Sequence, residues 1–118
     1  MKIKRGDIFW ANLSPVIEKE IGGMRYVVVV SNDGIKDESF SNGGTVIVAP
    51  LSAKEIEGSQ SSMAVISANI PELETFPYRV LLIGIRAINT ERLKNHIGCL
   101  SDEAMAELDK KLRYVLGL

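Results

Sequence analysis

The chain has 118 residues, 14 of them Lys or Arg and 15 Asp or Glu, for a net charge of −1 and a pI near 5.8. This balance excludes a global electrostatic grip on nucleic acid, so any anion site must be local. One cysteine excludes an internal disulfide, and with one histidine and no carboxylates at ligand spacing there is neither a metal centre nor a Ser-His-Asp or Cys-His arrangement. The length is that of a single domain, residues 1–118, large enough to fold without a metal or a disulfide. No charged-then-apolar leader and no run of 18 apolar residues occurs, which sets the expectation of a cytoplasmic protein with no membrane association.

Ile8, Trp10 and Leu13 open an antiparallel-type strand, and Val27 to Val30 is a continuous apolar run of strand length. Thr45 to Val48 and Met63 to Ser67 predict two more strands. Pro50 has no N–H to give a ladder, so it is expected to end or edge its strand and leave Ser52 in solvent. Leu51 to Ser62 is polar, Ser-rich and broken by Gly58, the pattern of a loop. Val80 to Ile85 reads as a further strand buried on both sides. Five or six short strands between Gly, Ser, Asn and Pro clusters predict a mainly β fold, a small curved sheet or barrel.

Helical signals come late. Asn89 or Thr90 can cap a short turn carrying Glu91 and Leu93. Ser101 caps a longer helix whose Asp102 and Glu103 suit the N-terminal dipole. Ala104, Met105, Leu108, Leu112 and Val115 form one apolar stripe for packing on the sheet, and Lys110, Lys111 and Arg113 form a solvated face near the helix end. Cys99, between Gly98 and Leu100, reads as a buried, inert thiol. His96 reads as a structural or exposed histidine, with a base as the alternative.

Charge is unevenly spread. Residues 1–30 carry five basic and three acidic side chains, residues 31–80 three and seven, and residues 81–118 six and five. The basic excess of the first third surrounds Arg25, which follows Gly22-Gly23-Met24 at the mouth of the Val27 to Val30 strand. A guanidinium there suits an anionic ligand or an acidic partner; the alternative is a surface ion pair with Glu18 or Glu20. Gly22 and Gly23 permit close approach of backbone to a ligand. Asn32 can read a base edge or simply make the Asn-Asp-Gly turn. Arg86 can bind phosphate or close an ion pair at the core edge.

Taken together, Lys4-Arg5-Gly6-Asp7, Leu13-Ser14-Pro15, Gly22-Gly23-Met24-Arg25, the Val strand ending at Asn32-Asp33, Thr45 to Ser52, and Val80 to Arg86 resemble the MazF/PemK family of toxin endoribonucleases in order and spacing. The resemblance spans nearly the whole chain except about residues 34–43 and 53–78. It implies a small SH3-like β-barrel with a C-terminal helix, the fold shared with CcdB-type toxins. It also implies a homodimer with its RNA groove at the subunit interface, an antitoxin partner, and metal-independent cleavage of single-stranded RNA. By the same resemblance Arg25 and Ser52 are the catalytic pair, and Gly22, Gly23, Tyr26, Asn32 and Arg86 are RNA-binding residues.

The chain departs from the family pattern at three places. Tyr26 stands where the family has Pro, Ser52 where it has Thr, and Ile83-Gly84 where an acidic residue and Gln precede Ile-Arg. The first offers either a stacking face or loop packing; the second keeps the hydroxyl; the third removes polar groups that could read bases. A non-catalytic binding module of the same fold, acting on a protein such as DNA gyrase, is the alternative function.

Overall fold

The computed structural model describes residues 3–13, 23–32, 44–53, 65–73 and 78–118. Gly22, Glu18, Glu20, Met63 and most of the expected Leu51 to Ser62 loop lie outside them. Among the described residues are seven strands: β1 (Asp7–Asn12), β2 (Met24–Val29), β3 (Thr45–Ser52), β4 (Val65–Ala68), β5 (Tyr78–Leu81), β6 (Arg86–Asn89) and β7 (Leu93–Cys99). One helix, α1 (Asp102–Leu116), follows. The pairings are antiparallel, in the order β4-β5-β3-β2-β1-β7, with β6 beside the first half of β3.

The fold is the expected barrel type, but its end strands β4 and β7 do not pair with each other. Side chains cover the seam instead: Ile70 and Leu73, in the turn after β4, bury in the same cluster as Leu100 at the end of β7. A Cβ at Gly98 of β7 would stand 2.7 Å from the Glu72 carboxyl of that turn. Register shifts in the β1–β7 ladder around Phe9 add curvature there.

Two apolar clusters occupy the two faces of the sheet. Ile8, Val28, Ala49, Leu51, Ile66, Val80 and Leu82 face α1, which contributes Leu108 and packs Ala104, Met105, Leu112 and Val115 against them. Phe9, Leu13, Val27, Val29, Val48 and Ile88 form the other. The stripe read from the sequence therefore packs on the sheet. Ser101 caps α1 by accepting from the Ala104 N–H at 3.1 Å, and Gly117, at φ +72°, ends it in the left-handed conformation that glycine tolerates. Arg5, before β1, pairs with Asp109 and donates to the Val30 carbonyl at 2.9 Å, fastening the helix to the start of the sheet.

Four expectations need correction. The apolar run from Val80 is not one strand, because Leu82–Gly84 forms a 3-10 turn between β5 and β6 that leaves Ile83 66% exposed. β3 does not stop at Pro50 but runs on to Ser52, and Pro50 is fully buried while Ser52 is half-buried. Lys111 is not merely a solvated charge, since it donates to the Val65 carbonyl of β4 at 2.9 Å and pairs with Glu107. Cys99 is exposed, because β7 is an end strand and the inward position passes to Leu100.

Two of these corrections share one cause. From the Val48–Arg86 pair to the Leu51–Val80 pair, three steps along β3 match six along the opposing strand. The three extra residues are the 3-10 turn. Ile47 turns its carbonyl toward β2, where it accepts from Val30, so alternation points the Pro50 nitrogen the other way, into that interruption. A residue without an N–H fits where no ladder partner stands.

Candidate active site

Arg25 is the second residue of β2, two before its buried valines, and stands opposite Ala11 of β1. β2 and β3 pair Val29 with Val48, Val28 with Ala49 and Val27 with Pro50. Continued two residues, the same register sets Arg25 level with Ser52. Residues opposite in an antiparallel ladder share a face, so by that continuation Arg25 and Ser52 leave neighbouring strands on the same face of the sheet. Both residues are half-buried. Their face is that of Val27 and Val48.

Ser52 has a second neighbour, Arg79 of β5, which is its Cα partner. Arg79 in turn pairs with Ser67 of β4, an exposed residue. One row thus crosses the sheet: Ala11, Arg25, Ser52, Arg79, Ser67. It holds two guanidinium groups flanking a hydroxyl, and no carboxylate. Guanidinium stays ionised and presents forked donors that match two oxygens of a phosphate.

Arg86 reaches this end of the sheet by a different route. Its backbone pairs with Val48, but its Nη1 donates to the Leu13 carbonyl at 3.2 Å. Leu13 in turn donates to the carbonyl of Gly23, two residues before Arg25 in the chain, at 2.8 Å. Arg92 holds the preceding carbonyl, that of Asn12, at the same distance of 3.2 Å. The two arginines clamp the backbone that leaves β1. Gly23 itself has φ +73°, a conformation that a side chain would strain.

Two other residues of the sequence reading stand apart. Tyr26 faces away from Arg25 by strand alternation and packs between Trp10 and Tyr78, with ring centroids 4.7 and 5.9 Å away. Asn32 is exposed beyond the opposite end of β2 from Arg25, about 20 Å along an extended chain. Ile83 and Gly84 occupy the 3-10 turn. His96 lies on β7, half-exposed, 3.4 Å from Asp7 and edge-on to Phe9, the structural alternative of its two readings. Among the described residues no cluster of three or more His, Cys, Asp or Glu could hold a metal ion.

Arg79 and Arg92 were not singled out from the sequence. The signal for Arg79 was present in the alternation of Arg79 with Val80: the apolar neighbour faces the α1 side, so the arginine must face the Ser52 side.

A barrel-like antiparallel sheet with one C-terminal helix is the fold of solved toxin structures that the chain resembles. Residues 4–116 match the family described as "PemK-like, MazF-like toxin of type II toxin-antitoxin system". Endoribonuclease EndoA of Bacillus subtilis (strain 168) is 37% identical over 118 residues, spanning 100% of this chain and 97% of that protein. MazF from Deinococcus radiodurans superposes with a TM-score of 0.76 at 18% identity, over 100% of this chain and 99% of that one. An endoribonuclease from Mycobacterial species, in complex with its cognate antitoxin, gives 0.71 at 16% identity over 98% and 95%. The chain belongs to the PemK/MazF toxin family.

Proposed function

We propose that this protein is an endoribonuclease toxin that cleaves single-stranded RNA without a metal ion and is held silent by an antitoxin. The observation that supports the reading is the β2–β3 register, with Val27 opposite Pro50, from which Arg25 and Ser52 follow on one face at the same end of the ladder. RNA carries its own nucleophile. The 2′-hydroxyl attacks the adjacent phosphorus, and the bond to the 5′-oxygen breaks to leave a 2′,3′-cyclic phosphate and a 5′-hydroxyl end. Charge builds on the equatorial oxygens as this happens. Arg25 supplies two ionic donors to those oxygens and Ser52 one neutral donor, in a fixed geometry that needs no reorganisation. The proton lost by the 2′-hydroxyl passes to solvent and the departing 5′-oxygen takes one up from solvent, while the Arg25 guanidinium, ionised throughout, assists by hydrogen-bonding to the charge that builds there.

The endoribonuclease name of the relative from Bacillus subtilis supports the reaction, and the mycobacterial complex with its cognate antitoxin supports the partner. An acidic antitoxin segment would meet the same guanidinium groups through charge-assisted contacts that salt weakens. The working form is a homodimer in the cytoplasm. Tyr114, Leu116 and Leu118 at the end of α1 are 63%, 50% and 87% exposed, apolar surface suited to a subunit contact.

The test is single-turnover cleavage of mixed-sequence RNA in EDTA. Arg25→Ala lowers the rate by on the order of a hundredfold or more, the scale for losing a positioned charge-stabilising donor. Arg25→Lys recovers part, because an ammonium cannot present paired donors. Ser52→Ala costs less, and Ser52→Thr is tolerated. If Arg25→Ala cuts RNA normally yet no longer binds its antitoxin or a target protein, Arg25 is a docking residue and the catalytic assignment is wrong.

A further inference from the structure

We propose that Arg79 is a phosphate-binding residue of this site and that single-stranded RNA runs across the strands, from Arg25 over Ser52 to Arg79 and out past Ser67. The proposal deepens the reading of the site as an RNA-cleaving centre and rests on it.

Three observations carry it. Arg79 is the direct cross-strand partner of Ser52, so its side chain leaves the sheet on the same face as the hydroxyl. It lies two strand spacings from Arg25, on the order of 10 Å at the backbone. Two cations at that separation, with a hydroxyl between them, can hold successive phosphates of one chain instead of crowding a single one. Beyond Arg79 the row ends at exposed Ser67 on β4, the last strand of the sheet, where a polyanion can pass into solvent.

The charge pattern gives the placement its weight. Residues 31–80 carry seven acidic side chains and three basic ones, and Arg79 is the only one of those three among the described residues. In an acidic stretch, the fold sets this cation beside Ser52 in a row without a carboxylate. The family pattern has two polar side chains where this chain has Ile83 and Gly84, in the 3-10 turn that follows β5. A backbone contact at Arg79 restores affinity there without restoring base recognition, because phosphate contacts position a strand but carry no sequence information.

The experiment measures binding of mixed-sequence 2′-O-methyl RNA, which lacks the attacking hydroxyl, as a function of salt, beside cleavage of unmodified RNA in EDTA. Removing one phosphate contact from a single-stranded complex reduces the slope of log K against log salt by about 0.7. Arg79→Ala should show that reduction, with affinity lower by on the order of tenfold at low salt. Arg79→Lys should regain the slope, since an ammonium is still one positive charge at the phosphate. Should Arg79→Ala unfold, Arg79→Lys and Arg79→Gln compare long side chains with and without charge, and equal slopes for the two overturn the proposal. An unchanged slope for Arg79→Ala, with wild-type protein cutting RNA and Arg25→Ala failing to, shows that Arg79 is no contact while the endoribonuclease reading stands. Wild-type protein that neither cuts nor binds RNA overturns both.

Discussion

Arg86 gives the sharpest separation between a residue that touches RNA and one that holds the site in shape. Its guanidinium donates to the carbonyl of Leu13, a fully buried residue, at 3.2 Å. Arg86→Met keeps the apolar stem and removes the donor. A hydrogen bond to a charged group contributes about 1.5–3 kcal/mol, and the length of this one puts it at the low end, about 1.5 kcal/mol. With an unfolding entropy of ~2.1 cal/mol/K per residue, a 118-residue chain loses about 4 °C of Tm per kcal/mol. Arg86→Met should therefore melt about 6 °C below wild type in a thermal scan followed by circular dichroism. Arg86→Lys, which returns a single donor, should fall between them. If Arg86→Met melts within about 1 °C of wild type while binding RNA weakly, the clamp on Leu13 contributes nothing to stability and Arg86 serves the RNA directly.

Leu108→Ala empties a fully buried position between α1 and the sheet and should cost about 3 kcal/mol in urea unfolding; a cost below about 1 kcal/mol would mean that the helix is not held by this stripe. Light scattering should give twice the 13.0 kDa chain mass at micromolar concentration, and a single-chain mass there counts against the homodimer.

The sequence showed the central strands because they are short apolar runs. Ile8 to Ala11 of β1 and Val27 to Val29 of β2 are apolar at successive positions, as expected of strands covered on both faces. β7 escaped notice because Lys94, Asn95 and His96 are all exposed on an end strand with one partner, so neither alternation nor an apolar run marks it. The break at residues 82–84 was hidden for the opposite reason: Leu81, Leu82, Ile83 and Ile85 are uniformly apolar, and hydropathy cannot tell a strand from a turn that continues the run. At the site, Arg25 and Ser52 were reached through the family resemblance, and the ladder supplies the physical link between them. Tyr26 was ambiguous because an aromatic residue beside an arginine can stack on a base or on its neighbours, and only strand pairing brings Trp10 and Tyr78 around it. Arg79 lies just beyond a segment that the resemblance does not cover, and its partner Ser52 is 27 residues away in the chain.

Pro50 also guards the geometry of the reaction against a sliding error. A strand that shifts by one residue turns every side chain to the opposite face, and such a shift in β3 would carry Ser52 away from Arg25 and Arg79 and into the layer beneath α1. A uniform valine run such as Val27 to Val30 offers little resistance to sliding, since one valine substitutes for the next. Proline does resist, because its missing N–H is tolerated only opposite the three-residue turn that interrupts the neighbouring strand. Moved one place along, its nitrogen would face the intact β2 ladder, where a missing donor leaves a buried carbonyl without a partner. Two irregularities on adjacent strands, a proline and a bulging turn, thus act as key and notch, and the setting in which Ser52 shares a face with both arginines is the one in which they engage.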